Sequence, residues 1–166
     1  SVGSGEALNE RITGEKWPLK EDRNARLKAC VDTMRKLFAG EVVTQKGLVN
    51  IEEAKLYTRP QKPPQIIGAA VTEKTAGWVG EWADGLITVN QAHDHLTRMI
   101  AAFREGGGEG KPLYLQVHLS WAPTLDEAEA IALDQWRTNV FDPVTMAELS
   151  SPQVGAYASA PELERI

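Results

Sequence analysis

From residue 65 onward, short apolar runs alternate with longer amphipathic ones, and this rhythm limits the available folds more than any other feature of the chain. Gln65–Val71 is an apolar run of strand length. Thr72 then stands as an N-cap before a helical pattern running from Glu73 to about Ala83, with Trp78, Val79 and Trp82 packing inward. Asp84-Gly85 closes that helix, and Leu86–Val89 is the next strand. Asn90 reads as the cap of a second helix reaching about Glu105, with Leu96, Met99, Ile100 and Phe103 on one side. After the flexible glycine-rich turn Gly106–Gly110 comes the clearest strand signal, Leu113–Ala122. There Leu113, Leu115, Val117, Leu119 and Trp121 alternate with Tyr114, Gln116, His118 and Ser120. Thr124-Leu125-Asp126-Glu127 is a capping box opening a helix to about Asn139, with Ala128, Ile131, Ala132 and Trp136 inside. Strands alternating with helices in this way are joined by crossovers and run parallel. The expectation is an α/β fold of parallel (β/α) units, with the three strands adjacent and the helices on one side. It is either an open doubly wound sheet or a partial TIM (β/α)₈ barrel, and in both, ligands bind at the C-terminal strand ends.

The segments before residue 65 fit the same frame. Val2 reads as the last residue of a strand. Leu27, Val31, Met34, Leu37 and Phe38 fall at helical spacing within Glu21–Ala39, and Gly40 is a C-terminal stop. Val42–Thr44 and Leu48–Ile51 flank Gln45-Lys46-Gly47 as a small hairpin, followed by the proline-rich connector Arg59–Pro64. Beyond the last helix the chain is irregular, with weak helix signals at Pro143–Leu149 and Pro161–Ile166. A single domain spanning 1–166 is expected.

Composition narrows the function classes. A net charge of −5 gives no general attraction to nucleic acid or anionic membranes. There is no run of 18 apolar residues, so no membrane-spanning helix is expected, and a cytoplasmic location is the default. The one cysteine, Cys30, rules out an internal disulfide framework and falls on the apolar stripe of its helix.

The chemistry-bearing residues gather where strands end. Gly3, Ser4 and Gly5 form a turn in which glycine lets backbone approach a ligand closely, although plain turns also use this spacing. Glu6 and Asn9, three residues apart, share one face of a short helix. Glu6 is a candidate acid or base, with a helix-start carboxylate as the alternative. Gly68, Ala69 and Ala70 offer small side chains against which a flat ring can lie, or simply tight helix-on-strand packing. His93 and His95 point to different helix faces and lack a third ligand, so no metal is expected. His118 is either a mouth-facing group or a hydrogen-bonded core histidine.

The run Val2-Gly3-Ser4-Gly5-Glu6-Ala7-Leu8-Asn9-Glu10 resembles a signature of the luciferase-like monooxygenase superfamily. The resemblance continues in Trp17-Pro18, Ala54-Lys55-Leu56-Tyr57-Thr58-Arg59-Pro60, Ala83-Asp84-Gly85-Leu86-Ile87-Thr88 and Trp121-Ala122-Pro123-Thr124. It is strongest toward the branch of coenzyme F420-dependent glucose-6-phosphate dehydrogenases and related flavin enzymes. It implies a (β/α)₈ barrel that transfers hydride between coenzyme F420 or FMN and a small organic substrate. Glu6 then falls on the acid/base position. Gly3, Ser4, Gly5, Asn9, Gly68, Ala69 and Ala70 fall on cofactor positions, and Thr88 on the substrate side. Where sugar-phosphate dehydrogenases carry a phosphate-holding lysine, this chain has Asn90 and Gln91, which speaks against glucose 6-phosphate. The features Gly106–Pro112 and Trp136-Arg137-Thr138-Asn139 resemble a side branch that uses ordinary flavin. The family barrel is longer, so the resemblance further implies the C-terminal half of a barrel, with the catalytic histidine and tryptophan on the other half. Expected partners are a second copy or the missing half. The alternative function is a non-catalytic half-barrel serving as a binding or assembly module.

Overall fold

The chain enters the sheet at its second residue. In the computed structural model, which describes residues 1–136 and 141–148, Val2 pairs with Gly68 in parallel. The Val2 N–H donates to the Ile67 carbonyl and the Ala69 N–H to the Val2 carbonyl, each at 2.8 Å. In chain order there follow α1 (Ala7–Glu10), a 3₁₀ turn (Arg11–Thr13), α2 (Lys20–Ala39), β1 (Val43–Gln45) and β2 (Ile51–Ala54). Then come β3 (Ile67–Ala69), α3 (Glu73–Trp82), β4 (Gly85–Val89), α4 (His93–Phe103), a π-turn (Arg104–Gly108), β5 (Leu113–Gln116), α5 (Leu125–Gln135) and α6 (Pro143–Glu148). The helix signal at Pro161–Ile166 and residues 137–139 of the expected last helix lie outside the described residues. Two compact units result. The first holds Ser1–Ser4, Pro18–Thr88 and His93–Tyr114; the second holds Gly5–Trp17, Val89–Ala92 and the described residues from Leu115 on.

In the first unit, β3 and β4 run parallel with Ile67 opposite Gly85, Gly68 opposite Leu86 and Ala69 opposite Ile87. β5 lies on the far side of β4, giving the order β3-β4-β5. The Leu86 N–H donates to the Pro112 carbonyl at 3.0 Å, and the Asn90 N–H to the Gln116 carbonyl at 2.9 Å. Acceptors advance in step with donors, so this pair is parallel too. The fold is therefore α/β with parallel (β/α) units, as the alternation of runs requires.

Side-chain alternation sorts the sheet into two faces. Ile66, Ala70 and Leu86 are buried in a core with Val31 of α2, Ala76, Val79 and Trp82 of α3, and Met99 and Phe103 of α4. Gly68 shares their parity, and Ile67, Ala69, Ile87 and Val89 have the opposite parity and are only half-buried. Thr72 caps α3 as expected, accepting from the Thr75 N–H at 3.3 Å. Gly40 ends α2 in the left-handed region, with φ 90°.

Three expectations are corrected. Asn90 does not cap α4: its N–H is still committed to the strand ladder, and the helix starts only at His93. Gly106–Gly108 do not form a loose turn. A Cβ at Gly106 would stand 2.1 Å from the Gly77 carbonyl oxygen, and one at Gly80 would stand 2.5 Å from that of Phe103. These glycines let the π-turn pack directly on α3. In the hairpin, Gln45 belongs to β1 and its partner strand starts only at Ile51, so the loop is longer than the turn residues suggest.

In the second unit, α1 packs against α6. Asp142 caps α6, accepting from the Val144 and Thr145 N–H groups at 3.0 Å each. The hydroxyl of Thr145 also donates to Asp142. That hydroxyl, then the Thr145 N–H, holds the Asp142 carboxyl below its ordinary value. The long last strand is cut short: β5 ends at Gln116, and Val117, Leu119 and Trp121 are exposed, the last two at 79%. Thr124 caps α5, but the helix buries none of its residues. Ile131 is exposed, and Ala128, Ala132 and Trp136 are half-buried, not inside. Among the described residues no helix is long and apolar enough to cross a membrane.

Candidate active site

Val2, β3, β4 and β5 all run the same way, so the candidate residues follow C-terminal strand ends, and each unit carries its own set. In the second unit, the glycine turn leads into α1. Gly5 has φ +81°, and a Cβ there would meet Glu10 Cγ at 3.1 Å and Trp17 Cη2 at 3.4 Å. Its backbone therefore selects glycine. The Glu6 carbonyl accepts from the Asn9 and Glu10 N–H groups, each at 3.1 Å, while Ala7 is buried beneath. The side chains of Glu6 and Asn9 meet on the exposed face of this turn, where Asn9 Nδ2 donates to Glu6 Oε2 at 3.1 Å. Their three-residue spacing places both on one face, as the sequence indicated. The result is an exposed carboxylate oriented by an amide, a group able to accept or deliver a proton.

In the first unit, the candidates divide between the two sheet faces. Gly3 and Ala69 lie side by side: a Cβ built on Gly3 would be 3.5 Å from that of Ala69, an ordinary contact. This pair of small residues leaves two strand-end backbones open to a flat ring, which fits a flavin or deazaflavin. Lys20 Nζ donates to Ser4 Oγ at 2.7 Å, placing a cation at the same turn. Gly68 faces the other way, where a Cβ would stand 2.5 Å from Val79 Cγ1, 3.1 Å from Trp82 Cη2 and 3.2 Å from Ala83 Cβ. Its smallness serves helix packing, and only its backbone can reach a ligand on the open face. Ala70 is in the core on that covered side, with its N–H donating to the Ile87 carbonyl at 3.1 Å. Thr88 has the parity of Leu86 and is 9% exposed, so Ile87 and Val89 have the open-face parity instead.

His118 is exposed, which eliminates the core-histidine reading. Its ring stacks on Trp136, with centroids 4.4 Å apart and planes 10° from parallel. Gln116 Nε2 lies 3.5 Å from His118 Nε2. β5 thus ends at Gln116, earlier than the Ala122 that the alternation indicates. His95 Nε2 lies 3.3 Å from the Val71 carbonyl, and its Nδ1 lies 3.9 Å from Glu73. Among the described residues no cluster of His, Cys, Asp or Glu is arranged to hold a metal ion. Sequence reasoning missed one contact at the glycine turn: Trp17 Nε1 donates to Glu148 Oε2 at 2.8 Å. Trp17-Pro18 was visible as a motif, but nothing local marks Glu148 as its partner.

Parallel strands with helices on one face, and a glycine turn leading from a strand end to an acidic residue, define a segment of the (β/α)₈-barrel class. More specifically, the chain belongs to the luciferase-like monooxygenase family, which it matches over residues 1–162. It is 30% identical over 175 residues to the F420-dependent glucose-6-phosphate dehydrogenase of Amycolatopsis mediterranei, covering 99% of this chain and 50% of that protein. It is 32% identical over 142 residues to the F420-dependent hydroxymycolic acid dehydrogenase of Mycobacterium tuberculosis, covering 82% of this chain and 39% of that one. An F420-dependent secondary alcohol dehydrogenase, solved with an F420-acetone adduct, shares the fold at a TM-score of 0.80 and 24% identity, over 98% of this chain and 53% of the other. The chain spans about half the length of the curated relatives it matches.

Proposed function

We propose that this chain serves an oxidoreductase that transfers hydride between coenzyme F420 and a small organic substrate. The observation that carries the reading is family membership across residues 1–162, joined to relatives named as F420-dependent dehydrogenases over 99% of the chain. The small Gly3–Ala69 pair and the exposed, amide-oriented carboxylate of Glu6 support it. Coenzyme F420, when bound, supplies the hydride acceptor or donor. Glu6 holds or delivers the accompanying proton at its carboxylate oxygen, and Asn9 fixes the orientation of that group. Gly3, Ser4, Gly5, Asn9, Gly68, Ala69 and Ala70 belong to the cofactor side, with Gly68 and Ala70 contributing backbone only. Thr88 belongs to the substrate side through the backbone of β4. FMN is the competing cofactor. A cytoplasmic setting and association with a second copy or with a complementary barrel half complete the reading.

The test uses the protein in its longest natural form. Titration with F420 and separately with FMN, followed by cofactor fluorescence, should show preference for F420. Loss of the oxidised F420 absorbance with a panel of alcohols and sugar phosphates should then reveal turnover. Glu6→Gln should lower turnover by about 10²–10⁴-fold with F420 affinity nearly unchanged. Tighter binding of FMN would reassign the cofactor. Wild-type turnover in Glu6→Gln would remove that residue from the chemistry.

A further inference from the structure

We propose that Trp17 and Glu148 are positioning residues for Glu6, an inference that rests on the acid/base role proposed above. The turn that presents Glu6 is only one short helix long, since α1 has four residues. A helix of that length has no stability of its own and must be held by its surroundings. Two supports are visible, both within the second unit. Beneath the turn, Trp17 Cη2 lies 3.4 Å from the position of a Gly5 Cβ, so the indole packs against the residue directly before Glu6. From Nε1, the same indole donates to Glu148 Oε2 at 2.8 Å. Glu148 is the last residue of α6, and α6 itself packs on α1.

The indole is thus a rigid strut between the glycine turn and α6. Its planar ring transmits position in a way a flexible side chain cannot. Its single N–H fixes which way the ring faces, because indole has one donor and no acceptor. The accepting group is a carboxylate, so the bond is charge-assisted and directional. Gly5 suits the arrangement because its φ of +81° is one that side-chain-bearing residues rarely adopt, and the indole sits at van der Waals distance from it. The Glu6 carboxylate is thereby held from two directions: Asn9 from its own helix face, and the Trp17–Glu148 strut through the backbone before it. A carboxylate that must meet a reacting atom within hydrogen-bond distance gains from such bracing, since small misplacement costs rate far more than binding.

The experiment compares Glu148→Ala, Glu148→Gln and Trp17→Phe. Glutamine keeps an oxygen acceptor for the indole, while alanine and phenylalanine each remove one partner. The first readout needs no cofactor: amide hydrogen exchange at Asn9 and Glu10, whose N–H groups bond to the Glu6 carbonyl. Exchange should quicken roughly five- to tenfold in Glu148→Ala and Trp17→Phe, the size expected for losing one exposed hydrogen bond, and stay near wild type in Glu148→Gln. In the F420 turnover assay, the same two variants should lose kcat several-fold with KM within about twofold, and Glu148→Gln should recover most of it. Unchanged exchange at Asn9 and Glu10, with Glu6→Gln still impaired, overturns the strut alone. Wild-type turnover in Glu6→Gln overturns the functional reading and the catalytic meaning of the strut with it.

Discussion

Adding one methyl group at Gly68 separates packing from ligand approach as the reason for that glycine. Gly68 lies within β3, so no unusual φ resists substitution, and any cost of Gly68→Ala is steric. The new Cβ would sit 2.5 Å from Val79 Cγ1. That is more than an ångström inside the usual carbon–carbon separation of about 3.5–4.0 Å. Val79 is β-branched, fully buried and within a helix, where essentially one χ1 rotamer is available. It cannot swing aside, and Trp82 and Ala83 close the remaining space at 3.1 and 3.2 Å. Relief must come from moving α3 off the sheet, which puts the cost near the upper end for overpacking, about 2–3 kcal/mol. For a chain of this size that lowers Tm by about 4–12 °C, read by circular dichroism during thermal or urea unfolding. Val79→Ala alone should cost about 2 kcal/mol through lost burial and a cavity. In the double variant the methyl at 68 occupies the vacated space, so the two costs should fall short of additive by about 1–2 kcal/mol. A Gly68→Ala protein within about 0.5 kcal/mol of wild type, or additive costs, would refute the packing account and return Gly68 to the ligand.

Three further outcomes are expected. Gly106→Ala should destabilise by more than about 3 kcal/mol, because its Cβ would strike backbone of α3 instead of a movable side chain; chemical denaturation checks this, and a cost under about 1 kcal/mol would be inconsistent. Asp142→Ala should loosen α6 by about 1 kcal/mol, seen as faster amide exchange at Thr145. Because the folded Asp142 carboxyl lies below its ordinary value of 3.8, its contribution is present above that value and is lost as pH falls through the lower folded value, so protection at Thr145 should hold at neutral pH and fade only in strong acid. The wild-type chain should self-associate through its exposed apolar residues, and Leu119→Glu with Trp121→Glu should reduce this in light scattering; a monodisperse wild-type monomer at high concentration would contradict it.

Legibility in the sequence varied with how much each signal depends on distant partners. The Thr72 cap, α3 and β4 were readable because cap chemistry and local periodicity determine them. β5 was drawn too long because alternation reports which face a residue would take, not whether a neighbouring strand exists. β4 ends at Val89, and Asn90 bonds to Gln116 just beyond it, so Val117–Trp121 have no partner strand among the described residues. That same bond delayed the start of α4. The glycine run at 106–108 looked mobile because glycine marks both loose turns and close backbone contact, and only the position of α3 decides between them. At the candidate site, the Glu6–Asn9 pairing followed from helical spacing. The facing of Gly68, Ala70 and Thr88 away from the open side required the strand register, which one sequence does not reveal.

The Asp84 carboxylate gives a different meaning to part of the family signature. Its Oδ2 accepts from the Ile66 N–H at 2.8 Å, its own N–H donates to the Ile66 carbonyl at 2.9 Å, and Arg35 donates to Oδ1 at 3.1 Å and to the Trp82 carbonyl at 2.7 Å. This clasp fastens α2 to the strand starts, at the rim opposite the candidate residues. In barrels of this kind that rim governs stability, and chemistry is set at the other. Ala83-Asp84-Gly85 is therefore a mark of architecture. In this chain those three residues seat a strand by its start, and any difference in chemistry between two chains seated this way has to be sought at the far ends of the same strands.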